Sequence, residues 1–174
     1  MTAGRAGISM TLLHRKYLPH GTPSWVRAGA VFFITLCCRV RGENGLCRRE
    51  IAAAIFEAVN FRQHTLRWHM HLLLLMPDHL HALVSFPKQE EMRKVMAGFK
   101  EATAKRGGVD WQRDFFDHRL RNDRSLEEKA DYIRMNPVRK GLVASPADWK
   151  WVWETDADGA PGGRALPDSG EAQA

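Results

Sequence analysis

Long apolar runs are missing from this chain of 174 residues. No stretch approaches eighteen consecutive apolar residues, so no segment reads as a membrane span. The first residues lack the continuous apolar core of a secretion signal, and a cytoplasmic protein is expected. Cysteine is scarce. Cys37, Cys38 and Cys47 are odd in number and contain no C-x-x-C pair. That argues against a disulfide frame or a zinc site and for free thiols in a reducing compartment. Tyrosine is scarcer still, with two, so chemistry that needs a phenol has few places to sit.

What remains is ordinary globular composition, 44% hydrophobic and 26% charged, at a length that suits one domain with a proper core. The net charge of +6 is unevenly spread. From Thr155 to Ala174 four acids (Asp156, Asp158, Asp168, Glu171) face one base, Arg164, a balance of −3 that leaves the body at about +9. A basic body suggests a polyanionic partner, nucleic acid first; charge kept for solubility is the alternative.

Residues 1–28, punctuated by Pro19, Gly21 and Pro23, read as an irregular leader. A folded domain is expected over 29–154, followed by a disordered acidic tail over 155–174, rich in Gly, Pro, Ala and Asp. Ala30 to Cys38 is β-branched and aromatic and predicts a buried strand. Leu46 to Phe61 places Ile51, Ala54, Ile55, Ala58 and Val59 at helical spacing. Leu66 to Leu75 and His79 to Phe86 predict two strands of a hairpin turning at Pro77 and Asp78. A second helix is expected from Glu90 to Arg106, closed by Gly107 and Gly108. A third is expected from Leu126 to Asn136, with Ser125 and Glu128 as a capping box and Pro137 and Gly141 at its far end. Strand, helix, strand, strand, helix is the opening of an α+β, ferredoxin-like sandwich with a central antiparallel sheet and helices on one face. The fourth strand is left between Val109–Leu120 and Leu142–Ala144.

Two stretches carry chemistry. In Met76-Pro77-Asp78-His79-Leu80-His81, alternation along a strand projects His79 and His81 to one face. Two imidazoles so placed can hold one divalent cation, or they can simply be a half-exposed strand. His69 and His71 repeat the spacing on the preceding strand, so spacing does not choose between the pairs. In Asp131-Tyr132-Ile133-Arg134-Met135-Asn136-Pro137, Tyr132 and Asn136 fall one helical turn apart. A phenol is a poor nucleophile at neutral pH unless a nearby cation favours the phenolate, and Arg134, Arg139 and Lys140 are close in sequence. An amphipathic surface tyrosine is the other reading.

MPDHLHALV, followed about fifty residues later by YIRMNPVRKGLV, resembles the REP-associated tyrosine transposases. These are relatives of bacterial insertion-sequence transposases within the HUH endonuclease superfamily. The resemblance runs from about Phe33 to Trp153 and includes WQRDFFDHRLRND. It implies a metal-dependent endonuclease and strand transferase acting on single-stranded DNA beside hairpins. His79 and His81 would ligate Mg²⁺ or Mn²⁺, with Asn136 as a further ligand. Tyr132 would attack the scissile phosphate and form a 5′-phosphotyrosine. Many members of the family carry His two residues after the tyrosine, where this chain has Arg134; a cation there would grip the phosphate instead.

Arg113, His118, Arg119 and Arg121 in the linking segment, and Lys100 on the second helix, are further candidates for DNA contact, with solvated charge as the bland reading. Trp149, Trp151 and Trp153 read as packing before base stacking. Monomer and homodimer both stay open. The rival function is a DNA-binding protein of the same descent without catalysis.

Overall fold

The computed structural model describes residues 29–155 and 161–163; the expected leader over 1–28 lies outside them. The chain runs β1 (Val31–Cys37), α1 (Arg49–His64), β2 (His69–Met76), β3 (His79–Ser85), α2 (Met92–Gly107), β4 (Phe116–Arg119), α3 (Asp123–Arg134), the short α4 (Asn136–Arg139), a 3₁₀ turn (Pro146–Asp148), β5 (Val152–Thr155) and β6 (Pro161–Gly163). The sheet is antiparallel in the order β4-β1-β3-β2-β5-β6. Its first four strands have the ferredoxin-like order, and β5 and β6 extend the β2 edge.

Successive side chains of each strand point to opposite faces, and both faces are covered. Phe32, Ile34, Leu36, Leu73, Leu75, Leu80, Ala82 and Val84 point to the side where α1 and α2 pack, with Ile55, Val59, Met96 and Phe99 among the contacts. The two long helices share that face as expected. Phe33, Leu72, Leu74, Met76 and Leu83 point the other way and meet Ala130 and Ile133 of α3. The helix bearing Tyr132 therefore crosses the opposite face, and this is the face that carries the site.

Several boundaries differ from the expected ones for local reasons. Leu46 is fully buried but precedes α1, because its N–H donates to Pro77 O at 2.9 Å and ties the β1–α1 loop to the hairpin turn. The third helix starts before the expected capping box. Its N-cap is Asn122, whose side chain accepts from Ser125 N at 2.8 Å, and Glu128 pairs with Arg124 instead. It also ends earlier, at Arg134. Pro137 has no N–H for the carbonyl of Ile133. The Asn136 side-chain amide donates at 2.9 Å to Tyr132 O and also lies 3.5 Å from Ile133 O, filling part of that gap.

The fourth strand of the core is β4, inside Val109–Leu120; Leu142–Ala144 forms none. The tail does not begin at Thr155, since β5 runs through it and 161–163 pair with β5; its other residues lie outside those described. The tryptophans pack. Trp149 and Trp153 are buried, their indole N–H groups donating at 2.8 Å to Leu75 O and Asn60 Oδ1, as buried indoles require.

Candidate active site

Two elements meet at the site, and the chain forms each for a different reason. The β2–β3 hairpin turns through Pro77 and Asp78, with Met76 opposite His79. Asp78 closes the turn against the preceding loop. One carboxylate oxygen accepts from Gly42 N at 2.8 Å and lies 3.0 Å from Arg41 Nε. Gly42 has φ +79°, a conformation that favours glycine and aims its N–H at the carboxylate. The other oxygen lies 2.6 Å from His79 Nδ1. Partial burial pushes the Asp78 carboxyl up, but the hydrogen bonds from Gly42 and His79 and the Arg41 charge outweigh it, and the net shift is downward. An ionised carboxylate is an acceptor only, so His79 Nδ1 is the donor of this hydrogen bond.

His81 is placed by the sheet. It stands opposite Thr35 of β1, and Thr35 Oγ1 is 2.9 Å from its Nδ1. Phe33 stacks on its ring at 5.4 Å. Burial first, then the neighbouring His79 and Lys129, push its pKa down to about 3, so the ring is neutral and able to ligate at physiological pH. The two imidazoles are 4.9 Å apart, centroid to centroid.

Tyr132 reaches this surface from α3. Its ring is 6.5 Å from His81 and edge-on to Phe33 at 6.4 Å, and it stays 40% exposed. Lys129 Nζ lies 4.8 Å from the Tyr132 ring centre and 4.8 Å from that of Phe33. Arg139 lies 5.1 Å from the Tyr132 ring centre. The phenol ring thus sits between two cations.

The structure brings His79, His81, Tyr132 and Arg139 together and places Asn136 beside Tyr132. Asn136 is buried at the start of α4; with its nitrogen donating to the helix end, its amide oxygen is the atom left for a ligand. Among the described residues no group of three or more His, Cys, Asp or Glu is arranged to hold a metal ion. The atoms that could serve as donors are the two imidazole Nε2 atoms, with the Asn136 oxygen one helical turn from Tyr132. That set fits a cation which keeps room for water and phosphate oxygens, as Mg²⁺ and Mn²⁺ do.

Other candidates separate. Arg134 turns away from the phenol: Nε is 2.9 Å from Glu154 on β5, and an Nη is 3.2 Å from Asp131. It ties α3 to the sheet and is not placed to grip a phosphate at Tyr132. Lys100 is on the far face, where Nζ donates to the carbonyls of Gln112 (2.5 Å) and Arg113 (2.7 Å). Burial lowers its pKa; it staples the loop before β4. Arg119 stands opposite Phe32 and faces α1 and α2, whereas His118 stands opposite Phe33 on the side of the site. Arg113, His118, Arg121 and Lys140 are exposed.

Spacing alone does not reveal Thr35, Asp78, Phe33 or Lys129 as neighbours of the site. Thr35 left one signal, a hydroxyl inside an apolar strand, which must find a partner when buried.

A ferredoxin-like sheet presents paired histidines to a helix-borne tyrosine within one α+β domain. The chain belongs to the IS200-like transposase family, whose pattern it matches over residues 34–136. It is 28% identical over 81 residues to the REP-associated tyrosine transposase of Escherichia coli (strain K12), covering 44% of this chain and 48% of that protein. A Haemophilus influenzae protein assigned to the same class is 27% identical over 96 residues, or 45% of this chain and 54% of that one. The chain thus spans about half the length of the curated relatives it matches. In three dimensions it is similar to a REP-associated tyrosine transposase solved bound to a REP hairpin, with a TM-score of 0.63 at 22% identity, covering 75% of this chain and 80% of that one. The family resemblance drawn from the two motifs and the α+β fold both hold.

Proposed function

We propose that this protein is a metal-dependent single-stranded DNA endonuclease and strand transferase that works through a covalent 5′-phosphotyrosine at hairpin-flanked sites. The observation that carries the reading is the convergence of Tyr132, two cations and two imidazoles held at Nδ1 on one sheet face.

The residues divide the work. Lys129 and Arg139 flank the phenol ring and offer positive charge to the phosphate it attacks. The Tyr132 oxygen attacks the scissile phosphorus, the P–O3′ bond breaks, and the 3′-hydroxyl leaves with a proton from solvent. Attack by a 3′-hydroxyl on the phosphotyrosine reverses the step and joins strands, so no nucleotide triphosphate is consumed. His79, His81 and the Asn136 oxygen would hold Mg²⁺ or Mn²⁺, which supplies charge neutralisation at the phosphate. Asp78 and Thr35 fix the orientation of the two imidazoles. The exposed cations of the basic body bind the backbone, and affinity should fall steeply with salt. One nucleophile cuts one strand, and a duplex would hold its backbone away from so small a site. The free thiols of Cys37, Cys38 and Cys47 are in keeping with a reducing compartment.

The test is incubation with labelled hairpin-flanked single strands and Mn²⁺, followed by denaturing electrophoresis. The wild type should give a covalent adduct with the single strand and none with the annealed duplex. Tyr132→Phe should keep binding and lose the adduct. An adduct formed by Tyr132→Phe, or faster cutting of the duplex, overturns the reading. DNA binding by wild type with no adduct would identify a non-catalytic DNA-binding protein of the same descent.

A further inference from the structure

Phe116 is an apolar ring on edge strand β4, 53% exposed beside the site. Its register fixes its direction. Phe116 stands opposite Thr35, and Thr35 stands opposite His81. Directly opposed residues of antiparallel strands share a face, so the three form one row across the sheet. Strands lie about 4.8 Å apart, which places Phe116 roughly 10 Å from His81, backbone to backbone. Phe33 bridges the gap, its ring 6.1 Å from Phe116, 5.4 Å from His81 and 6.4 Å from Tyr132. Lys129 Nζ stands above both Phe33 and Tyr132. From the edge of the sheet to the phenol there is thus an exposed ring, a covered ring and a cation.

An occupant must offer an apolar face to Phe116 and negative charge to Lys129. Arg139 adds a second cation beside the phenol ring, and His118 lies two residues along β4 on the same side. A nucleotide with an unpaired base meets both demands; a paired base has its faces covered by its own stack. We infer that Phe116 is the stacking platform for the unpaired base of a nucleotide adjacent to the scissile phosphate, with Lys129 holding the phosphate between platform and phenol. This subsite rests on the single-strand reading above. It gives the protein a way to seat its substrate that does not depend on hydrogen bonds to base edges, so it tolerates sequence at that position.

The test uses single-stranded oligonucleotides carrying a fluorescent purine analogue, moved one position at a time across the cleavage site, with wild type, Phe116→Ala and Phe116→Trp. Wild type should quench the analogue at one position. Phe116→Ala should lose that quench and bind roughly five- to hundredfold more weakly, and Phe116→Trp should restore both. With an abasic nucleotide at that position, wild type and Phe116→Ala should bind alike. Phe116 is exposed, so melting curves should be unchanged. Identical quenching in wild type and Phe116→Ala overturns the platform, as does an equal loss of affinity for single strand and duplex. Altered self-association with quenching intact also overturns it and makes the ring a protein contact. Adduct formation scored in parallel separates the two ideas. An adduct with no Phe116 dependence removes only the platform, whereas Phe116-dependent quenching without an adduct removes only the phosphotyrosine step.

Discussion

His69 and His71 on β2, and His79 and His81 on β3, share one spacing and one hairpin, yet they stand at opposite ends of it. His69 lies opposite Ser85 and Met76 lies opposite His79, a separation of roughly 20 Å along the strands. Both pairs are close, 4.6 Å and 4.9 Å between ring centroids. In both, burial first and then the neighbouring histidine push the inner ring down, His71 to about 4 and His81 to about 3. Neither spacing nor desolvation tells them apart. The hydrogen bonds do. Met70 N donates to Gln63 Oε1 at 2.8 Å, which fixes that amide so that its NH₂, 3.2 Å away, donates to His69 Nδ1 and takes up its lone pair. His71 Nε2 is engaged by Ser85 Oγ at 2.9 Å. The β3 pair has Nδ1 held on both rings, by Asp78 and Thr35, and among the described residues neither Nε2 has a hydrogen-bond partner. Only that pair faces Tyr132.

The largest expected contrast tests this difference directly. His79→Ala or His81→Ala should abolish Mn²⁺ binding and adduct formation together, while His69→Ala and His71→Ala should leave both intact. Calorimetric titration of the four variants checks it, and loss of binding in a β2 variant alone would move the site to the other end of the hairpin. A smaller effect is expected one shell out. Asp78→Asn replaces the carboxylate that fixes the His79 tautomer, and Mn²⁺ affinity should fall about 10- to 100-fold with the fold retained, as read by the same titration and by melting curves.

The smallest effect belongs to the β2 pair, where structure is the only role assigned. His71 is neutral when folded and titrates near its ordinary value when unfolded. The unfolded chain therefore takes the proton first, and the His71 contribution is present above about pH 6.5 and lost as pH falls towards 4. Between pH 7 and pH 5 the melting temperature of His71→Gln should drop by a few degrees less than that of wild type. An equal drop would show that His71 carries no share of the acid sensitivity.

What was legible in the sequence follows the same line between local and distant causes. The hairpin, α1 and α2 could be read because alternation and helical spacing are properties of neighbouring residues. Strand β5 could not: Trp149-x-Trp151-x-Trp153 has the period of a strand, but Trp153 finds its partner in Asn60, 93 residues away. The cap of α3 differs from the expected one because two capping patterns overlap, and Arg124 takes the glutamate on which the Ser125 pattern depends. At the site the motifs supplied His79, His81, Tyr132 and Asn136. Thr35, 46 residues from His81, and Phe116 on the sheet edge belong to it only through register. The cationic candidates divided by face. His118 and Arg119 are neighbours in sequence, yet only His118 lies on the sheet face that carries the site.

The two halves of the site are rooted at different depths. The histidines belong to a strand buried almost throughout and paired on both sides. Tyr132 rides on a helix that buries only Ala130 and Ile133, where α1 buries six residues. Opening free energy follows buried contact, so amide protons of α3 should exchange with solvent well before those of β1 and β3. A strand joined to Tyr132 would then be tethered to the yielding part of the molecule while the histidines keep their place. Catalysis would work as a compliant arm moving over a fixed anvil.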